Sequence, residues 1–289
     1  MSKPTLDPRR HPYRDDLAAE ALRPLVSAPR YVPGELQQVA SAAAGLWSRP
    51  EPAAGWASQA LHGELVTVYD ERDGWAWVQL ARDGYVGYLP ADALSLPIAA
   101  PTHRVAAPAT CVYAAPDAKA LTSLQLSLNA VVSVADIGPG FARLAGGGFI
   151  PTGHLAEIGK PAADFVAVAE RLIGTPYVWG GKTRQGLDCS GLVQTALQAA
   201  GFEAPRDSDM QMAELGVPVE VRRDLAGLQR GDLMFWKGHV GILTDGATLL
   251  HANAHHMAVT AEPLAGAVDR IARSGAPITA VRRLATRGT

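Results

Sequence analysis

The chain is predicted to be α+β, with strands and helices segregated along the sequence rather than alternating. Three observations carry this. Short aromatic-rich strand patterns separated by Asp/Gly turns fill the region up to about residue 158. Helical spacing of apolar residues begins only near Phe165, and beyond Gly231 the pattern returns to strands. An apolar content of 48% over 289 residues is ample for real cores, and the length suits two or three domains.

Residues 1–32 read as an extended, proline-punctuated arm with a short helix around Asp15 to Leu22. Residues 33–97 form a first small all-β domain. Its strands are Leu65 to Tyr69, Gly74 to Leu80 and Gly84 to Leu89, and Trp77 is expected in its core. Residues 98–158 look like a second, more degenerate copy, with Val131 to Val134, Phe141 to Leu144 and Gly148 to Ile150 standing in for the same strands. Residues 159–289 form the last domain. A helix is predicted from Ala163 to Ile173, stopped by Gly174 and Pro176. Further helices follow at Ser190 to Ala200, ended by Gly201, and at Ser208 to Leu215. The strands Val240 to Thr244, Ala247 to Ala252 and Ile278 to Arg282 complete it.

Composition removes several function classes. A net charge of −2 gives no electrostatic support to a nucleic-acid partner. No run of about 18 apolar residues predicts a membrane span. Met1 to Glu20 lacks the continuous apolar stretch of a signal peptide, and two cysteines make no disulfide framework. The expectation is a cytoplasmic protein. Cys111, in the β-rich region, is read as a buried structural thiol.

The chemistry centres on Asp188-Cys189-Ser190-Gly191, which puts a cysteine at a helix start. The reactive species is the thiolate, and the free N–H groups and partial positive charge of a helix N-terminus favour it. His239 and His251 lie downstream, on either side of Thr244-Asp245-Gly246. A three-residue hairpin loop there places His239 opposite His251 on one face, whereas a two-residue loop sends them to opposite faces. Three ligands of this kind also suit a zinc site, although no short ligand pair such as H-x-x-x-H is present. A lone cysteine before an apolar helix is otherwise a small buried residue. His255 and His256 are expected to be exposed loop or strand residues rather than ligands.

Together, Pro176-Tyr177-Val178-Trp179-Gly180-Gly181, Asp188 to Leu192, Gly231-Asp232-Leu233, His239-Val240-Gly241 and Leu250-His251 resemble the NlpC family of papain-like cell-wall cysteine peptidases. The resemblance spans roughly residues 164–285. It implies a papain-like domain with Cys189 as nucleophile, His239 as base and His251 as the orienting group. Arg72-Asp73-Gly74-Trp75 and Asp83 to Tyr88 similarly resemble the bacterial SH3-like barrel, so two such barrels are expected ahead of the peptidase domain.

Members with SH3-like domains that act on free murein peptides carry a motif matching Arg206-Asp207-Ser208. There the aspartate meets the α-amine of L-alanine, and the arginine and serine help bind D-glutamate. An alternative is that Asp207 or Ser208 merely caps the following helix. Tyr85 matches the aromatic that closes the pocket over the amino end, and Tyr177, Asp188 and Ser190 complete the implied substrate-binding set. Residue 57 departs from the pattern, with alanine where a charged residue is expected. The resemblance implies a cytoplasmic γ-D-glutamyl-L-diamino acid endopeptidase of murein-peptide recycling, needing no metal or organic cofactor. Its runners-up are an exported wall hydrolase, an amidase or acyltransferase on the same scaffold, and a non-catalytic binding module.

Overall fold

Alternating apolar residues in short segments make the first half of the chain all-β. In the computed structural model, which describes residues 6–285, the chain divides into two compact units, one ending at Ile158 and the other beginning at Gly159.

The first unit contains two separate apolar clusters. One is built on Val39, Leu46, Val66, Val78, Leu80, Tyr85 and Leu89, inside a seven-stranded sheet running from Glu35 to Ser95. Ala57 packs against this cluster, so the position that departs from the family pattern is filled as an apolar site. The other cluster holds Val105, Val112, Leu126, Val132, Leu144 and Ile150, within the sheets between His103 and Glu157. Leu61 joins this second cluster. Val131 N–H donates to the His62 carbonyl at 2.9 Å, beside Gly63 with its φ of +77°. A Cβ on Gly63 would lie 2.1 Å from the Val131 carbonyl oxygen, so only glycine permits this join.

The N-terminal segment is not the extended, helix-bearing arm expected. Tyr13–Arg14, Leu17–Ala19 and Arg30–Val32 form a three-stranded sheet, and only Glu20–Leu22 turns as a 3₁₀ helix. Apolar spacing over eight residues does not distinguish a short helix from a docked strand, and here tertiary packing decides. Leu17 is fully buried against Trp77 and Val86. The Arg14 guanidinium stacks 4.7 Å over the Trp77 ring and pairs with Asp70. Val86 N–H and Gln79 Nε2 donate to the carbonyls of Arg9 and Arg10. Trp77 is thus a core residue, as its pattern suggested. Cys111, on the Ala109–Tyr113 strand, is half-buried rather than buried, and both cysteines are free thiols.

The second unit begins with helix α1, Phe165–Glu170, capped by Asp164, whose carboxylate accepts from Val166 N–H. The helix is shorter than predicted, and the chain turns out of it towards Gly174, which has a φ of +82°. Helix α2, Cys189–Ala199, is buried almost all round, and helix α3 spans Ser208–Glu214. A six-stranded antiparallel sheet follows. Its spatial order is Val217–Pro218, Ile278–Arg283, Asp232–Trp236, His239–Leu243, Thr248–Asn253 and Ala258–Pro263. Helix α4, Leu264–Arg273, was not anticipated; it buries Leu264 and Ala267 and returns the chain to the tail strand. The Gly231-Asp232 motif is structural: the fully buried Asp232 carboxylate accepts from Arg283 at 2.6 and 2.7 Å and from Gln229 N–H. Among the described residues no helix is long and apolar enough to cross a membrane.

Leu17→Ala is expected to lower stability by about 2–5 kcal/mol, the range for emptying a fully buried leucine site. Urea unfolding of the full chain checks this. A loss below about 1 kcal/mol would mean that the N-terminal sheet is not part of the cooperative unit.

Candidate active site

Asp188 precedes α2 with extended backbone, and its side chain does four things. One oxygen accepts from Gly191 N–H at 2.7 Å, which caps the helix; the other accepts from Gly180 N–H at 2.8 Å. Both oxygens receive the Arg206 guanidinium, at 3.0 and 2.6 Å. Ser190 Oγ donates to the same carboxylate at 3.3 Å and accepts from Arg206 Nη1 at 2.8 Å. The glycines serve this convergence. A Cβ on Gly191 would lie 2.2 Å from the Gly181 carbonyl oxygen, so the loop and the helix start can meet only without side chains. Gly180 takes a φ of +76°, ordinary for glycine alone.

This network redirects Arg206. The sequence offered it as a grip on a substrate carboxylate, but it is 1% exposed and its fork is spent on Asp188. It orders the site from behind. Asp188 and Ser190 are themselves buried in the same network. Asp207 and Ser208 begin α3 and are half-buried, and the Asp207 side chain makes no capping bond, so the simple capping alternative does not describe it. Tyr85 lies in the first unit, where it is buried in the apolar cluster around Val78 and Leu80.

Cys189 is the first residue of α2 and is buried. Burial, reinforced by the Asp188 carboxylate, pushes its thiol up to about 11. The N–H groups of Val240 and Ser190 reach the sulfur and, with Arg206, favour the thiolate without offsetting the burial. A thiolate stabilised by the helix start alone is therefore not the resting state. Burial likewise drives His239 down to about 3, with His251 and Arg270 adding to the shift. Burial thus disfavours the charged form of both groups. Burial and the nearby Cys189 and Asp188 charges lift Tyr177 to about 12, so its hydroxyl remains a donor.

The two histidines share a face, in a register that differs from the expected one. Ile242 pairs with Leu250 and Leu243 with Leu249, and Thr244 N–H donates to the Thr248 carbonyl. Continuing this register puts Gly241, not His239, opposite His251. The loop is Asp245-Gly246-Ala247, closed by the Asp245 carboxylate on Ala247 N–H. The shift is two residues, so facing is preserved, because side chains alternate with period two. A Cβ on Gly241 would lie 3.1 Å from that of His251, so the missing side chain leaves room for the diagonal reach. His239 Nε2 and His251 Nδ1 are 2.8 Å apart.

Two residues at this site escaped sequence reasoning. His251 Nε2 bonds Glu262 Oε1 at 2.7 Å, and Glu262 is gripped by both Arg270 amino groups at 2.6 Å each. Both ring nitrogens of His251 are engaged in hydrogen bonds, so its one lone pair is already occupied and not open to zinc. Glu262 lies one strand on in an alternating pattern, a signal available in the sequence only once that strand is placed. Arg270 belongs to the unanticipated α4. The same hairpin braces Tyr177, whose N–H donates to the Met257 carbonyl at 2.9 Å. His255 and His256 are exposed at the hairpin tip, as expected.

Comparison with known proteins gives matches in both units. The family model described as NlpC/P60 family matches residues 174–270, and that described as Bacterial dipeptidyl-peptidase Sh3 domain matches residues 46–94. A Bacillus cereus protein named gamma-D-glutamyl-L-lysine dipeptidyl-peptidase is 30% identical over 243 residues, covering 72% of this chain and 70% of the relative. A Bacillus subtilis protein of the same name is 28% identical over 222 residues, covering 68% and 71%. The crystal structure of an NlpC/P60 family protein from Bacillus cereus shares the fold, with a TM-score of 0.72 at 23% identity over 86% of this chain and 99% of that one.

Cys189→Ala is expected to abolish turnover with the fold intact, whereas Cys111→Ala retains activity. His239→Ala is expected to cost about 10²–10⁴-fold in kcat and His251→Ala less, since a base contributes about that much and an orienting group is partly replaced by water. Steady-state kinetics decide this, and a larger loss at His251 reverses the two roles. Stability also depends on pH. His239 and His251 are held below 6.5 by burial, so unfolding takes up protons and stability falls as pH drops below 6.5. Glu262 is held at about 2 rather than 4.5, first by Arg270 and then by His251, so its contribution is present above 4.5 and is lost towards pH 2. Calorimetry from pH 8 downwards should show both limbs, with the lower one reduced in Glu262→Gln.

Proposed function

This chain belongs to the NlpC/P60 family and is a cysteine peptidase, and on that premise we propose that it hydrolyses the γ-D-glutamyl-L-diamino acid bond of murein peptides carrying a free N-terminal L-alanine. The observation that carries the reading is the extent of the match. The Bacillus cereus relative aligns over 72% of the chain, more than either unit alone supplies, and so shares both the β region and the peptidase unit.

In this reading Cys189 attacks the γ-carbonyl of D-glutamate while its proton passes to His239. The developing oxyanion meets N–H groups at the start of α2 and the Tyr177 hydroxyl, which burial keeps protonated. His239 then returns the proton to the leaving amine of the diamino acid. A thioester of L-Ala-γ-D-Glu remains on Cys189, and water, deprotonated by His239, releases it. Asp207 is the partner proposed for the alanine ammonium, with Ser208 beside it. Asp188, Ser190 and Arg206 hold the floor of the site, and Tyr85 is proposed as the wall beyond the amino end. A peptide with a free amine arises from wall fragments already degraded, which makes the cytosol the proposed compartment and peptide recycling the proposed role.

The decisive measurement compares L-Ala-γ-D-Glu-diamino acid with its N-acetylated form. Acetylation removes the charge pairing with Asp207, a charge-assisted hydrogen bond, so kcat/KM is expected to fall by about 10²-fold or more. Tyr85→Ala should relax this discrimination more than it slows cleavage of the free peptide. Equal kcat/KM for the two peptides, or efficient cutting of intact peptidoglycan, would replace this reading with that of an exported wall hydrolase.

A further inference from the structure

Glu262 lies outside every motif that marks the site, yet it ends a continuous line of hydrogen bonds that starts at the base. The line is a product of register. Glu262 pairs with Leu249 and His251 with Thr260, while the neighbouring register sets His239 level with Asn253. His239, His251 and Glu262 therefore step across three adjacent strands on one diagonal of the sheet, two residues apart at each step. Diagonal neighbours of this kind lie within reach of long or ring-bearing side chains. Helix α4 then brings Arg270 onto the far end.

The geometry points to Glu262 as a positioning residue that sets the tautomer of both imidazoles and leaves the lone pair of His239 on Nδ1, the ring nitrogen not engaged by His251. The argument is a count of protons. An ionised carboxylate only accepts, so the 2.7 Å bond requires a proton on His251 Nε2. A neutral imidazole carries one N–H, so His251 Nδ1 has a lone pair. The 2.8 Å bond between the rings then requires His239 Nε2 to donate. His239 Nδ1 is left as an acceptor, the form a general base needs. The reversed pattern requires a protonated Glu262, and Arg270 opposes it with two N–H donors at 2.6 Å each. An imidazolium at His251 is opposed by its complete burial. When His239 takes the thiol proton, the charge it gains faces an acceptor chain that ends on a carboxylate, with no proton needing to leave the chain.

This inference rests on the reading of Cys189 and His239 as nucleophile and base, and its test does not depend on the peptide proposed above. In the wild-type chain labelled with ¹⁵N in its histidine rings, both His239 and His251 are expected as Nε2–H tautomers at neutral pH, with signals assigned from His239→Asn and His251→Asn. In Glu262→Leu the acceptor is gone while the Arg270 Nη2 that shared Oε1 with His251 remains, so His251 Nε2 is left to accept rather than donate. The pattern then reverses and places a proton on His239 Nδ1. Cys189 alkylation by iodoacetamide and kcat are both expected to fall by about 10²–10⁴-fold, the scale of a wrong-tautomer substitution in a catalytic triad, with KM within about 3-fold. A merely structural role for Glu262 predicts a lower Tm with tautomers and alkylation unchanged. The proposal is overturned if wild-type His251 carries its proton on Nδ1, a result that needs no variant to fold. It is equally overturned if Glu262→Leu alkylates and turns over within about 3-fold of wild type. Failure of the murein-peptide reading leaves the alkylation and tautomer results standing.

Discussion

The Asp188 carboxylate is the constraint on which the peptidase unit is built. It lies in the interior with the forked guanidinium of Arg206, and neither charge is tolerable there without the other. Removing one partner of such a buried pair commonly costs about 3–5 kcal/mol, because the remaining charge is left uncompensated. The same two oxygens cap α2 and tether the Gly180 loop, so the helix start, the loop before it and the chain leading into α3 meet at one point. Cys189 sits on that point. The arrangement has a cost for reactivity: the negative charge beside the sulfur adds to burial in disfavouring the thiolate. The fixed frame gives position instead, and the proton is managed elsewhere.

That management falls to the sheet. Burial holds both His239 and His251 below the usual imidazole range, and in the proposed mechanism their role depends on which ring nitrogen carries the single proton. A diagonal register across three strands, a glycine at position 241 and an ion pair at the far edge line up the two rings. Because Glu262 and Arg270 neutralise one another, the carboxylate can direct hydrogen bonds without strongly raising the basicity of the rings. The two halves of the site thus have different physics. One is a dense, charged frame under α2, and the other a nearly neutral relay on the sheet.

The β region follows a different logic. It holds two separate apolar clusters, and glycine at the join lets backbone approach backbone. Tyr85 is a core residue of the first of these clusters, and a substrate role for it is a proposal only.

Much was legible in the sequence where the signal is local. The Asp-Cys-Ser-Gly run announced a helix start with cysteine in its first turn. The shared face of His239 and His251 was legible too, because facing depends only on parity. Their register was not: a shift of two residues preserves parity, and only pairing with the neighbouring strands chooses between the two. The N-terminal sheet was misread as an arm with a helix because a strand docked on Trp77 has no periodicity of its own to show. The employment of Arg206 was hidden because a charged residue near a site looks the same in sequence whether it meets a ligand or an interior carboxylate. Glu262 and Arg270 were invisible because their meaning is wholly relational. Sequence determined which groups this protein carries and which local turns and caps they make. Tertiary structure alone decided which groups touch, since burial and cross-strand register arise from contacts between segments far apart in the chain.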